Sequence, residues 1–89
     1  MTNEQLEQLR KLSIKMEGLC ELSGAMRRGL EEARATDCRP TYAIRARNGR
    51  NVCFPIDFDI CEMQVKRYEE RALKAIKELQ EFIKSTSEQ

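Results

Sequence analysis

Four cysteines, Cys20, Cys38, Cys53 and Cys61, are the residues best suited to chemistry in this chain, and no histidine accompanies them. Their separations contain no CxxC pair, and without an imidazole no mixed Cys/His set can be completed. No metal and no cofactor are expected. Cys61 opens an apolar helical pattern, where a helix N-terminus lowers a thiol pKa, but Asp57, Asp59 and Glu62 act in the opposite sense and no base can pair with it. It reads as a packing thiol. The three acids are of the type that holds hard cations, yet helix capping explains two of them without one. No catalytic group, and so no enzyme activity, is expected. The remaining candidates are Arg39, Arg45, Arg47 and Arg50, with no acid between the first and the last. Guanidinium forks suit phosphate and carboxylate, so these arginines with Asn51 form the candidate ligand- or partner-binding set. Arginines on an edge strand also simply discourage aggregation.

The arginines lie in the one segment with strand character, residues 41 to 56, TYAIRARNGRNVCFPI. A two-residue Asn48-Gly49 turn would mix arginines with Val52, Phe54 and Ile56 on one face. A three-residue loop, Arg47-Asn48-Gly49 with Gly49 left-handed, pairs Ala46 with Arg50, Ile44 with Val52 and Tyr42 with Phe54. That register gathers Tyr42, Ile44, Ala46, Val52, Phe54 and Ile56 on one face and Thr41, Ala43, Arg45, Asn51 and Cys53 on the other. A lone hairpin is marginal in water, so the apolar face must rest on its own helices or on another subunit's sheet. Both strands are also open edges. Pro55 weakens the second, which leaves residues 41 to 46 as the better edge for pairing with another copy.

Long helices are predicted on either side. Over 2–36, Leu9, Leu12, Met16, Leu19, Ser23, Met26, Leu30 and Ala33 recur at alternating spacings of three and four, and Thr2 with Gln5 has capping-box spacing. Pro40 ends that segment, with Thr36 and Asp37 as turn formers. Gly18, Leu22, Ala25, Gly29 and Ala33 form a stripe beside the seam. Each interior glycine costs roughly 1 kcal/mol relative to alanine, and a second packing face against another subunit would compensate. Over 58–84, Cys61, Val65, Tyr68, Ala72, Ala75, Leu79 and Phe82 make an unbroken seam, widened by Ile60, Ile76 and Ile83. Asp57 or Asp59 would cap this helix, Asp59 with Glu62 as a capping box, and Glu62–Lys66 and Glu70–Lys74 would pair on its outside. Residues 85–89 are expected to fray.

Bulk properties agree with such a fold. Eighty-nine residues at 40% apolar and 35% charged composition make one domain, 1–89, of amphipathic helices with a thin core. A net charge of +1 argues against a chain that coats nucleic acid or seeks a membrane surface. The polar start MTNEQLEQL and the lack of a long apolar run predict a cytoplasmic protein with reduced thiols and no membrane contact. The expected class is α+β, mostly α: long helix, β-hairpin, long helix, the helices packed as an antiparallel coiled-coil hairpin and the β-hairpins open to pairing between subunits. In layout this resembles the β-type prefoldin subunits, which run helix, hairpin, helix.

Two functional expectations follow. The first is a small non-enzymatic interaction module, an adaptor, regulator or inhibitor, that binds another protein and associates with itself through Gly18, Leu22, Ala25, Gly29, Tyr42, Ile44 and Phe54. The second is an oligomer that binds an anionic, nucleotide-like ligand or a nucleic-acid backbone through the arginine-rich hairpin.

Overall fold

Thr2 starts the first helix as its spacing predicts: its hydroxyl accepts from the Gln5 N–H at 3.1 Å while the Gln5 carbonyl oxygen accepts from the Thr2 N–H at 2.8 Å. In the computed structural model, which describes residues 1–87, the order is α1 (Asn3–Ala35), β1 (Thr41–Arg45), β2 (Asn51–Pro55) and α2 (Phe58–Ser87). Thr2 and Thr36 are thus the caps of α1, not its end residues. At its C-terminus the Cys38 N–H donates to the Ala33 carbonyl (2.9 Å) and the Asp37 N–H to that of Arg34 (3.3 Å), with Asp37 at φ 54°. This is a Schellman stop with an aspartate in the left-handed position that glycine usually fills. Thr36 serves as a donor to the Glu32 carbonyl at 2.9 Å and not as the turn acceptor expected.

The helices pack side by side and antiparallel. Lys15 meets Glu78, Arg27 meets Glu69 and Glu62, and Arg34 meets Glu62, so position rises on α1 as it falls on α2. Every predicted seam residue on both helices is at least half-buried. Among the described residues only Leu30, Val65, Ala72 and Ala75 are buried apolar side chains, the thin core expected of a two-helix pair. Ile76 is half-buried, but Ile60 and Ile83 face solvent, so the apolar face of α2 is narrower than its sequence suggests.

Two local readings of α2 change. Glu62 turns to Arg27 and Arg34 on the other helix, in place of Lys66 or a capping box with Asp59, because the Arg27 guanidinium donates a short, charge-assisted hydrogen bond to its carboxylate. The helix also continues through Ser87, where Thr86 and Ser87 hydroxyls donate to the Phe82 and Lys84 carbonyls, so residues 85–87 are helical. Positions 88 and 89 of the expected frayed tail lie outside the described residues.

The hairpin forms in the register argued from alternation: Tyr42 opposite Phe54, Ala43 opposite Cys53, Ile44 opposite Val52. The Ala46 N–H donates to the Arg50 carbonyl (2.8 Å), the Gly49 N–H to that of Ala46 (3.1 Å), and Gly49 has φ 82°. Asn48 steadies the loop by accepting from the Arg50 N–H. The chain spans 53 × 34 × 15 Å with a radius of gyration of 17.7 Å, against about 12 Å for a compact domain of this length. Because α1 alone is about 50 Å long, the hairpin extends sideways from the end of the helical pair.

Candidate functional site

Alternation places Tyr42, Ile44, Val52 and Phe54 on one hairpin face, and Tyr42 stacks on Phe54 with ring centroids 5.8 Å apart. Even so, these side chains remain 46%, 52%, 56% and 38% exposed, and every residue of both strands is exposed. Of the two supports that the sequence allowed, the chain's own helices do not provide the cover. The reason lies at the hairpin's base. The left-handed Asp37 and the following Pro40 turn the chain away from α1, the Ile56 N–H donates to the Pro40 carbonyl (3.0 Å), and Arg39 donates to the Asp57 carboxylate at 2.7 Å. Pinned there, the strands leave the helix surface.

Where they leave it, a concavity of about 210 Å³ forms between Met26, Gly29 and Leu30 of α1, Tyr42 and Ile56 of the hairpin, and Cys61 and Val65 of α2. The hairpin's apolar face therefore continues into the helix pair on the side that carries Gly29. At 100° per residue, Gly18, Leu22 and Ala25 share that side of α1, and these three and Gly29 are exposed, whereas Ala33 of the same stripe is half-buried. A side chain built at Gly18 or Gly29 would meet nothing within 4 Å. Nothing among the described residues requires glycine at either position.

The arginines separate into two groups. Arg39 is tied to Asp57 at the base of the hairpin, which removes it from the tip. Arg45, beside Asn51 on the polar face, and Arg47 and Arg50 at the loop have no acidic partner among the described residues. The tip thus carries three guanidiniums that are open to an anion, not four.

On the opposite side of the helical pair, Arg27 donates to Glu62 at 2.6 Å and to Glu69 at 2.6 and 3.2 Å. Residue spacing on each helix gave no sign of this inter-helix clasp, because pairing across helices depends on their rotation. The Glu69 hydrogen bond is the main cause that holds the Arg27 guanidinium yet more firmly protonated, and the same bond lowers the Glu69 carboxyl below its usual range. Burial pushes the half-buried Cys61 thiol up, against a smaller opposite effect from Arg34, as befits a packing residue. Tyr68 lies under the Arg71 guanidinium, 4.9 Å from its ring centre. The four thiols are free, and among the described residues no cluster of three or more Cys, Asp or Glu side chains is placed to hold a metal ion. Among the described residues no helix is long and apolar enough to cross a membrane.

No protein-family model, curated protein or solved structure matches the chain.

Proposed function

We propose that this protein is a small, non-enzymatic interaction module of the cytosol, self-associating and acting as an adaptor, regulator or inhibitor by binding another protein. The helical pair, an antiparallel coiled coil in this reading, is the stalk, and the hairpin is the binding element. One observation carries the proposal: an apolar sheet face made of Tyr42, Ile44, Val52 and Phe54 that its own helices leave uncovered. A lone two-stranded hairpin is marginal in water, so a face of this kind calls for a partner surface. Surface area points the same way. The chain exposes 7217 Å², against roughly 5,400 Å² for a folded monomer of this mass. The difference, roughly 1,800 Å², exceeds the roughly 800 Å² that each partner buries in a standard protein interface. Gly18, Leu22, Ala25 and Gly29 offer a second contact strip on the same side.

The test is sedimentation equilibrium at micromolar concentration, on the unaltered chain and on Ile44→Asp and Tyr42→Ser variants. Association of the first and its loss in the variants, at unchanged helicity, is the expected result; a monomeric unaltered chain would refute self-association.

A second reading rests on the unpaired Arg45, Arg47 and Arg50 and assigns the hairpin tip to an anionic ligand or a nucleic-acid backbone. Fluorescence anisotropy with a labelled oligonucleotide or nucleotide would show binding that weakens steeply with salt and disappears when the three arginines become alanine. Salt-independent binding would argue against it.

A further inference from the structure

We infer that the partner at the hairpin's free edge is a second copy of this chain, joined β1 to β1 in antiparallel order about a two-fold axis at Ala43, to give one four-stranded sheet. This rests on the self-association proposed above and specifies where and in what register it occurs.

The first step is the parity of the hairpin's hydrogen bonds. The Ala46 N–H donates to Arg50 at one end of the ladder and the Ile56 N–H to Pro40 at the other. Antiparallel pairs alternate between bonded and non-bonded, so the even-numbered residues of the register bond inward. The odd-numbered residues therefore aim their backbone groups outward. On β1 these are Thr41, Ala43 and Arg45, each with both an N–H and a C=O, and no partner for any of them exists among the described residues. On β2 they are Asn51, Cys53 and Pro55, and Pro55 has no N–H to give. One edge is complete and the other is interrupted.

The second step is register. An antiparallel partner must join odd residues to odd residues. With the axis at Ala43, Thr41 faces Arg45 of the second copy, Ala43 faces itself and Arg45 faces Thr41, so every outward group of the five-residue strand is paired. An axis at Arg45 would put two guanidiniums opposite each other, which like charges disfavour. Axes at Tyr42 or Ile44 leave part of the strand unpaired. Ala43 is the smallest side chain on the strand, and it lies where the two copies meet.

The consequence concerns the apolar face. A single hairpin offers a patch of roughly 17 by 10 Å, well short of the roughly 800 Å² that each partner buries in a standard interface. Pairing sets Tyr42 opposite Ile44 of the second copy and merges both patches into one surface, with a concavity of about 210 Å³ at each end. The dimer thus doubles the apolar platform that a single chain presents.

Two variants of the full chain test this. Ala43→Pro removes an outward N–H and no bond of the hairpin's own ladder, at an edge position of the kind that tolerates proline, so the ladder and the far-UV circular dichroism should persist while sedimentation mass falls to the 10.4 kDa of one chain. In a chain whose four cysteines are serine, Ala43→Cys should oxidise to a disulfide-linked dimer, since bonded antiparallel partners lie about 5.5 Å apart between Cα atoms, within disulfide reach. Thr41→Cys and Arg45→Cys should cross-link when mixed and not separately. A monomeric unaltered chain overturns this inference together with the reading it rests on. An oligomer that Ala43→Pro leaves intact and that forms no cross-link at position 43 overturns the β1 pairing alone.

Discussion

Arg27 and Cys61 show how differently single residues were legible. The helical pattern alone assigns Cys61 to packing, and its half-buried position with a raised pKa agrees. Alkylation followed by mass spectrometry should therefore modify the exposed Cys38 and Cys53 first and Cys61 late. Arg27, by contrast, reads from sequence as one more solvated charge, and only the rotation of α1 against α2 sets it between Glu62 and Glu69. The sign of its effect follows from Glu69. A carboxyl whose folded pKa is depressed contributes stability above its unfolded value, about 4.3, and that contribution is lost as pH falls through the lower folded value. Thermal melts between pH 6 and 3 should show a decline that Glu69→Gln flattens. High salt should weaken the clasp further, because its groups are partly in contact with solvent. The Arg39–Asp57 pair is more exposed, at 62% and 65% of its side chains, and pairs of that kind contribute at most about 1 kcal/mol.

Among the elements, the termini of α1 and the hairpin loop allow the clearest forecasts. Asp37 holds a left-handed conformation at φ 54° with no glycine to ease it. Asp37→Gly should stabilise the chain by about 1 kcal/mol, read from a denaturant melt. The reverse change at the hairpin, Gly49→Ala at φ 82°, should cost about 1–2 kcal/mol of hairpin stability, visible as lost cross-strand NMR contacts between Tyr42 and Phe54. In mid-helix, Gly18→Ala and Gly29→Ala meet open space, so each should raise the stability of the single chain by roughly 1 kcal/mol. Capping of α1, both seams and the hairpin register were legible because each depends on neighbours a few positions apart. The longer reach of α2, through Ser87, was not. Its last turn is polar, and the hydroxyls of Thr86 and Ser87 satisfy carbonyls that a sequence pattern counts as frayed.

At the scale of the whole molecule, the elongated form follows from two long helices joined by a short segment. An 89-residue chain built in this way cannot fold back on itself enough to cover a sheet face. Ile44→Asp should leave helicity intact, because its side chain stands in solvent in the single chain, and should weaken self-association, because it sets a charge opposite Tyr42 of the second copy. The sequence by itself determined the order of elements, the seams, the loop that sets the hairpin register and the division of its faces, since periodicity and turn chemistry are local properties. Tertiary structure alone decided where the hairpin stands. Asp37, Pro40 and the Arg39–Asp57 bridge direct it off the helices, which removed Arg39 from the basic tip and left Tyr42, Ile44, Val52 and Phe54 uncovered. Orientation between elements depends on contacts between residues far apart in the chain, and no spacing rule encodes it.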